Sequence, residues 1–250
     1  MPTAKPCLDL PPPPWIVGHR GAGGEAPENT LESLRLAAAQ GADLVEVDLQ
    51  LSKDGFLTAF HDWDLERLTG TTGVVEELTR GALRRIPLSR HPSGENCPTR
   101  IADLEEVLVS LPAKLPLNLE LKRRRADPEA MVHALGQALA DREQLLVSSF
   151  DWPLLAEVKR RLPHLPLAPL AKRGPRALLE AAEELGAFSV HCHRRLGRRP
   201  LIRRAEEAGR PTLVYTVNRA EEASRLLGRG AAGLFTDFPG RLRRELEARA

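Results

Sequence analysis

What this 250-residue chain has little of narrows its function before any motif is read. It has three cysteines, Cys7, Cys97 and Cys192, widely spaced and with no C-x-x-C pair. That excludes a disulfide framework and a cysteine-based zinc site, and it fits a reducing compartment. The formal net charge is only +2, from 36 Lys and Arg against 34 Asp and Glu. So small an excess argues against a nucleic-acid partner. No stretch approaches the ~18 apolar residues of a membrane span. The N-terminal MPTAKPCLDLPPPPW is rich in proline and lacks the apolar core of a signal peptide. These absences predict a cytoplasmic protein without membrane insertion, with residues 1–14 as a short extended arm. Arginine clusters at 123–125, 194–199 and 241–244 read as solvated loops or helix ends.

What is present is an alternation. Short runs rich in Val, Leu and Ile fall at 15–18, 44–49, 117–121, 145–149, 165–170, 188–191, 212–217 and 233–236. Amphipathic segments follow at 30–40, 102–111, 128–140, 153–161, 176–185, 201–208, 220–227 and 241–248. Such alternation is the pattern of a parallel sheet covered by helices. Eight units in about 250 residues predict a single α/β domain, a TIM (β/α)8 barrel. Asn29 with Glu32 reads as a capping box for the first helix. The gap between the second and third strands is too long for one crossover, so about residues 49–101 are an insertion.

Part of that insertion is legible. LQLSKDGFLTAFHD, residues 49–62, is two alternating runs about Asp54-Gly55, a strong hairpin signal. With those two residues as the turn, Asp48 lies opposite His61, and a bulge at the turn would shift that register by one. The remainder, residues 66–98, reads as a small cap over one end of the barrel.

In such barrels, chemistry sits at the C-terminal ends of the strands. His19 and Arg20 follow the first strand. Glu46 and Asp48 end the second, two apart and so on one face, and Glu120 and Lys122 end the third in the same way. Carboxylates crowded on adjacent strands repel one another unless a cation joins them, and an all-oxygen set suits Mg²⁺ or Ca²⁺ better than zinc. The plainer alternative is a polar core in which Glu46 and Glu120 pair with Lys122 and Arg20. The two histidines delivered to the same rim weigh against it, because imidazoles beside a bound anion serve as general acid and base. Arg20 offers a fork to phosphate and Lys122 a point charge. Gly21, Gly23 and Gly24 read as clearance for a ligand. The constellation calls for a phosphate ester.

Other residues are weaker candidates. His191 and His193 read as packing or a minor pocket role, His91, His133 and His164 as surface, and Asn218 and Asp237 as caps of the helices that follow them. Tyr215 is placed either on the wall of the pocket at the barrel mouth or in the core. Ser148 and Ser149 lack the glycines of a nucleophile elbow.

The ordered motifs HRG, PENT, EVDLQLSKDG, FHD, NLELK, SSF, YTVN and GLFTDFP resemble those of the glycerophosphodiester phosphodiesterases, most closely the short cytosolic bacterial members. The match runs from about residue 15 to 239. The resemblance implies a TIM barrel with an insertion after the second strand and hydrolysis of glycerophosphodiesters to sn-glycerol 3-phosphate and an alcohol. It also implies one divalent cation held by Glu46, Asp48 and Glu120, with His19 and His61 as the acid/base pair. Arg20 would contact phosphate, Lys122 would lie beside the metal, and the substrate would be a small molecule. The protein would be a monomer or homodimer. Which histidine is the acid, and whether water or the substrate's own hydroxyl attacks first, stay open. A barrel that binds a phosphodiester without turning it over would have lost a carboxylate or a histidine, and none is missing.

Overall fold

The computed structural model describes residues 8–88, 99–139 and 142–249. Cys7, His91, Cys97 and the first seven residues of the arm therefore lie outside the described residues.

Eight parallel strands close into a barrel. They are β1 (Trp15–Gly18), β2 (Leu44–Leu51), β6 (Leu117–Leu121), β7 (Leu145–Ser149), β8 (Leu167–Ala171), β9 (Val190–His193), β10 (Thr212–Tyr215) and β11 (Gly233–Thr236). β1 pairs with both β11 and β2, which leaves the barrel sheet no open edge. Helices α1 (Leu31–Ala39), α4 (Leu104–Ser110), α5 (Pro128–Leu139), α6 (Trp152–Arg161), α7 (Pro175–Glu184), α8 (Arg199–Glu207), α9 (Ala220–Leu227) and α10 (Pro239–Glu247) cover the outside. The strands alternate in what they bury. Val45, Val47, Leu119 and Val147 pack outward against the helices, while Trp15, Val17, Leu44, Leu146, Ala168, Leu170, Leu213 and Phe235 form a separate apolar cluster. Each fully buried side chain of this size contributes about 1.5–3 kcal/mol.

The insertion adds β3 (Leu57–Ala59), α2 (Glu66–Thr69), a 3₁₀ turn (Val75–Glu77), α3 (Arg80–Leu83) and the short pair β4 (Pro87–Leu88) and β5 (Thr99–Arg100). It has its own apolar centre in Phe60, Leu65, Leu68, Val75, Leu83, Leu88 and Ile101. Among the described residues no helix is long and apolar enough to cross a membrane.

Three expectations shift in detail. The hairpin register is one residue off. Leu49 faces Ala59 and Leu51 faces Leu57, so Asp48 lies opposite Phe60, whose N–H donates to the Asp48 carbonyl at 3.0 Å. The turn uses three residues, Lys53 to Gly55, closed by the Ser52 N–H on Phe56 O (2.8 Å), with Gly55 at φ +85°. That is the three-residue hairpin with glycine in the left-handed position. β8 and β9 begin two residues later than read, which places His193 at the end of its strand. The N-cap of α1 is Thr30, whose hydroxyl accepts from the Ser33 N–H at 3.1 Å, in place of Asn29.

Candidate active site

At the C-terminal rim the barrel interior turns from apolar to acidic. β2 brings Leu44, Glu46 and Asp48 to one face, and the register sets Asp48 beside Glu120 on β6. Oxygen atoms of Glu46, Asp48 and Glu120 all lie within 4.8 Å of one another, and the residues are 1%, 1% and 9% exposed. Burial, reinforced by the neighbouring Asp48 and Glu120 charges, pushes Glu46 well above the ordinary carboxylate range. Burial and Asp48 push Glu120 up to about 7. Burial works against the Asp48 charge too, yet Arg20, Lys122 and His61 outweigh it and hold Asp48 at about 2. Glu46 Oε1 is buried without a hydrogen-bond partner. Three crowded carboxylates, one with an orphaned oxygen, form a cluster that can hold a metal ion, and the all-oxygen donor set fits a hard divalent cation.

The loop after β1 fixes this cluster from one side. The Arg20 N–H donates to Glu46 Oε2 (2.7 Å), Arg20 Nη1 donates to Glu28 Oε1 (2.7 Å), and Arg20 Nε lies 3.2 Å from Asp48 Oδ2. Lys122 Nζ stands 3.6 Å from both Asp48 and Glu120. Asn29 grips Asp48 twice. Its Nδ2 donates to Asp48 Oδ2 at 2.9 Å, and its Oδ1 accepts the Asp48 N–H at 3.0 Å. Both Arg20 and Asn29 take positive φ, +54° and +58°, conformations rare for residues with a Cβ. The glycines here serve packing rather than ligand clearance. A Cβ on Gly21 would meet Ser33 backbone at 2.4 Å, and one on Gly24 would meet the Phe238 ring at 2.3 Å.

Each histidine is oriented by a carboxylate. His19 Nδ1 lies 2.6 Å from Asp237 Oδ1, and His61 Nδ1 lies 2.6 Å from Asp62 Oδ1. A carboxylate only accepts, so Nδ1 carries the proton in both rings and Nε2 is left for other work. Asp237 is itself held by Asn218, whose Nδ2 donates to Asp237 Oδ2 at 2.6 Å and whose Oδ1 accepts the Asp237 N–H at 2.9 Å. Neither residue caps a helix as read. Arg219 and Phe238 occupy the N-cap positions of α9 and α10, without side-chain caps. Asp62 also bonds Arg67 from α2, and Arg67 Nη2 donates to Glu28 Oε1 at 2.6 Å. A chain of charges thus runs His61–Asp62–Arg67–Glu28–Arg20 and ties the insertion to the barrel rim. Burial, helped by Arg20 and Lys122 and opposed by Asp48 and Asp62, lowers His61 below the ordinary imidazole range.

His19, Arg20, Glu46, Asp48, His61 and Glu120 line one side of a cavity of about 360 Å³. Phe150, Leu170, Lys172, His193, Arg194 and Tyr215 line the other. Tyr215 is only 8% exposed, and its hydroxyl donates to the Ala171 carbonyl at 2.8 Å, so it presents ring rather than hydroxyl. His191 and His193 part company. His191 is fully buried, its Nε2 beside Ser189 Oγ at 3.1 Å, and burial pushes it down to about 3, which makes it a packing residue. His193 is half-buried on the cavity wall. His133 and His164 are exposed, Ser148 and Ser149 are buried in β7, and Cys192 is free and buried. Asn218, Asp237, Asp62, Glu28, Asn29 and Arg67 are the site residues that the sequence reading misassigned or passed over.

A closed (β/α)8 barrel with a carboxylate cluster at the C-terminal rim and a carboxylate-held histidine on either flank is an arrangement suited to hydrolysis of a phosphate ester. Residues 19–241 match the glycerophosphoryl diester phosphodiesterase family, and the chain belongs to that family as one of its enzymes. The chain is 33% identical to a glycerophosphodiester phosphodiesterase of Bacillus altitudinis, over 90% of this chain and 95% of that one. It is 29% identical to another from Caldanaerobacter subterraneus subsp. tengcongensis, over 90% and 94%. Among solved structures, an Oleispira antarctica phosphodiesterase in complex with the product sn-glycerol-3-phosphate superposes with a TM-score of 0.87 at 30% identity. That match covers 94% of this chain and 97% of the other.

Proposed function

We propose that this enzyme hydrolyses glycerophosphodiesters to sn-glycerol 3-phosphate and an alcohol, with one divalent cation, Mg²⁺ or Ca²⁺, held by Glu46, Asp48 and Glu120. The observation that carries the reading is the pair of imidazoles, each with Nδ1 bound to a carboxylate, flanking the buried acidic cluster in one cavity. The similar Oleispira protein, bound to sn-glycerol-3-phosphate, supports the product. The cation would supply polarisation of a phosphoryl oxygen and a lower pKa for the attacking oxygen.

The chain's own residues do the rest. One imidazole Nε2 takes the proton of the attacking oxygen as its bond to phosphorus forms. The other gives a proton to the alcohol oxygen as its bond to phosphorus breaks. Their fixed Nδ1 partners keep both rings in the tautomer this exchange needs and stabilise each imidazolium. Burial opposes the Arg20 charge, but Asp48, Glu28 and Glu46 raise its pKa, so it stays a cation for the phosphate, with Lys122 as the second. The Tyr215 ring provides an apolar face for the glycerol carbons.

The test is product analysis. Glycerophosphocholine, glycerophosphoinositol and glycerophosphoglycerol are each incubated with enzyme loaded with Mg²⁺ or Ca²⁺, and the phosphate monoester is identified. Release of sn-glycerol 3-phosphate from at least one is expected. No turnover of any, or release of glycerol with the phosphate on the other alcohol, would overturn the reading.

A further inference from the structure

The reaction as proposed leaves Lys172, His193 and Arg194, on the opposite side of the cavity, without a task. Lys172 follows β8, and Arg194 follows β9, whose last residue is His193, so all three reach the mouth from adjacent strands. The carboxylates lining the cavity, Glu46, Asp48 and Glu120, all belong to the other side. Lys172 makes no ion pair among the described residues. Its ammonium is propped 5.1 Å from the centroid of the exposed Phe150 ring, which stands edge-on to Tyr215 at 6.0 Å. Arg194 is steadied by Glu222, with Nη1 on Oε1 at 2.9 Å, and by its own N–H on the Tyr215 carbonyl at 2.8 Å. His193 Nδ1 accepts the Arg195 N–H at 3.3 Å, which places the ring proton on Nε2 as a donor. Burial, with Arg194, Arg195 and Lys172 and against Glu222, lowers that imidazole below its ordinary range.

Two cations and a neutral donor therefore face any substrate whose phosphodiester is engaged by Arg20 and Lys122. A quaternary ammonium group would meet like charge there. Among the described residues the exposed aromatic rings that could attract such a group, Phe150 and Trp63, each already carry a lysine ammonium, Lys172 and Lys122. We infer that Lys172, His193 and Arg194 form a second anion subsite, and that the preferred substrate is a glycerophosphodiester whose alcohol bears its own phosphomonoester. The inference rests on the phosphodiesterase reading above and narrows it to a substrate class.

The test compares two diesters that differ by one group, glycerophosphoinositol and glycerophosphoinositol 4-phosphate, through the ratio of their kcat/KM values. The wild-type enzyme is expected to favour the phosphorylated diester by about tenfold, the size of one or two charge-assisted contacts. Lys172→Glu and Arg194→Glu are each expected to lower that ratio by about tenfold, and Lys172→Met by less. Melting curves check that each variant is folded. Turnover of both diesters at a ratio near one, unchanged by the substitutions, would overturn the second subsite and leave the phosphodiesterase reading standing. No turnover of either by the wild-type enzyme would overturn both.

Discussion

On the cavity wall formed by β1, β2 and the tip of β6, charged side chains are fixed by one another. Asn29 holds Asp48, the Arg20 N–H holds Glu46, and Asp237 and Asp62 hold the two histidines. On the wall formed by β8, β9 and β10, Lys172 and Arg194 are exposed, Phe150 is 41% exposed, and few side-chain bonds restrain them. The contrast matches two different demands. Proton transfer at phosphorus needs groups held in hydrogen-bond geometry, and such positioning comes from a supporting network. Discrimination among head groups needs only charge and shape at the mouth. In this account the tight wall sets the reaction and the loose wall sets the preference.

The comparison breaks most readily at the histidines. His19→Ala and His61→Ala should each lower kcat at least ~10²-fold with the melting temperature unchanged. Near-normal turnover in both would remove the tight wall from the reaction. One step back, Asp237→Asn should cost about tenfold or more in kcat, because the His19 tautomer loses its anchor. The same variant should shift the pH profile, which a merely structural role for Asp237 would leave in place.

The pH dependence sharpens the same contrast. If His61 accepts the proton, it works only when neutral. Because its pKa is lowered, the fall in kcat/KM should lie on the acid side of the ordinary imidazole value of 6.5, approaching about tenfold per unit. An acid limb above 6.5 would contradict this environment for His61. The smallest expected effect is Tyr215→Phe, which removes the hydroxyl bond to the Ala171 carbonyl. It should cost about 1 kcal/mol of unfolding free energy, read by denaturant titration.

The parts of this site that follow from strand periodicity were legible in the sequence. The two-residue spacing of Glu46 with Asp48 places both on the inner face whatever the surroundings, and His19 and Glu120 follow from where β1 and β6 end. The hairpin register was not legible, because Asp54-Gly55 suits a two-residue turn as well as the three-residue turn observed. Asn29 misled because a polar residue before a helix looks the same whether it caps that helix or turns away to hold Asp48. Its positive φ is visible only in three dimensions. Asp237 stayed hidden for another reason. Its partner His19 lies 218 residues away, and only closure of the barrel between β11 and β1 brings them together. The Arg67 link to Glu28 and Asp62 depends likewise on how the insertion folds over the rim, which its irregular sequence does not reveal. Arg194 shows the converse. It belonged to a cluster that read as solvated, and it is exposed, but it also lines the cavity.

The most direct test of the account is turnover of glycerophosphoinositol before and after chelation. Enzyme stripped with EDTA should release sn-glycerol 3-phosphate at the background rate and regain activity when Mg²⁺ or Ca²⁺ is added back. Full turnover after complete removal of divalent cations would contradict the central claim that Glu46, Asp48 and Glu120 are gathered to hold one.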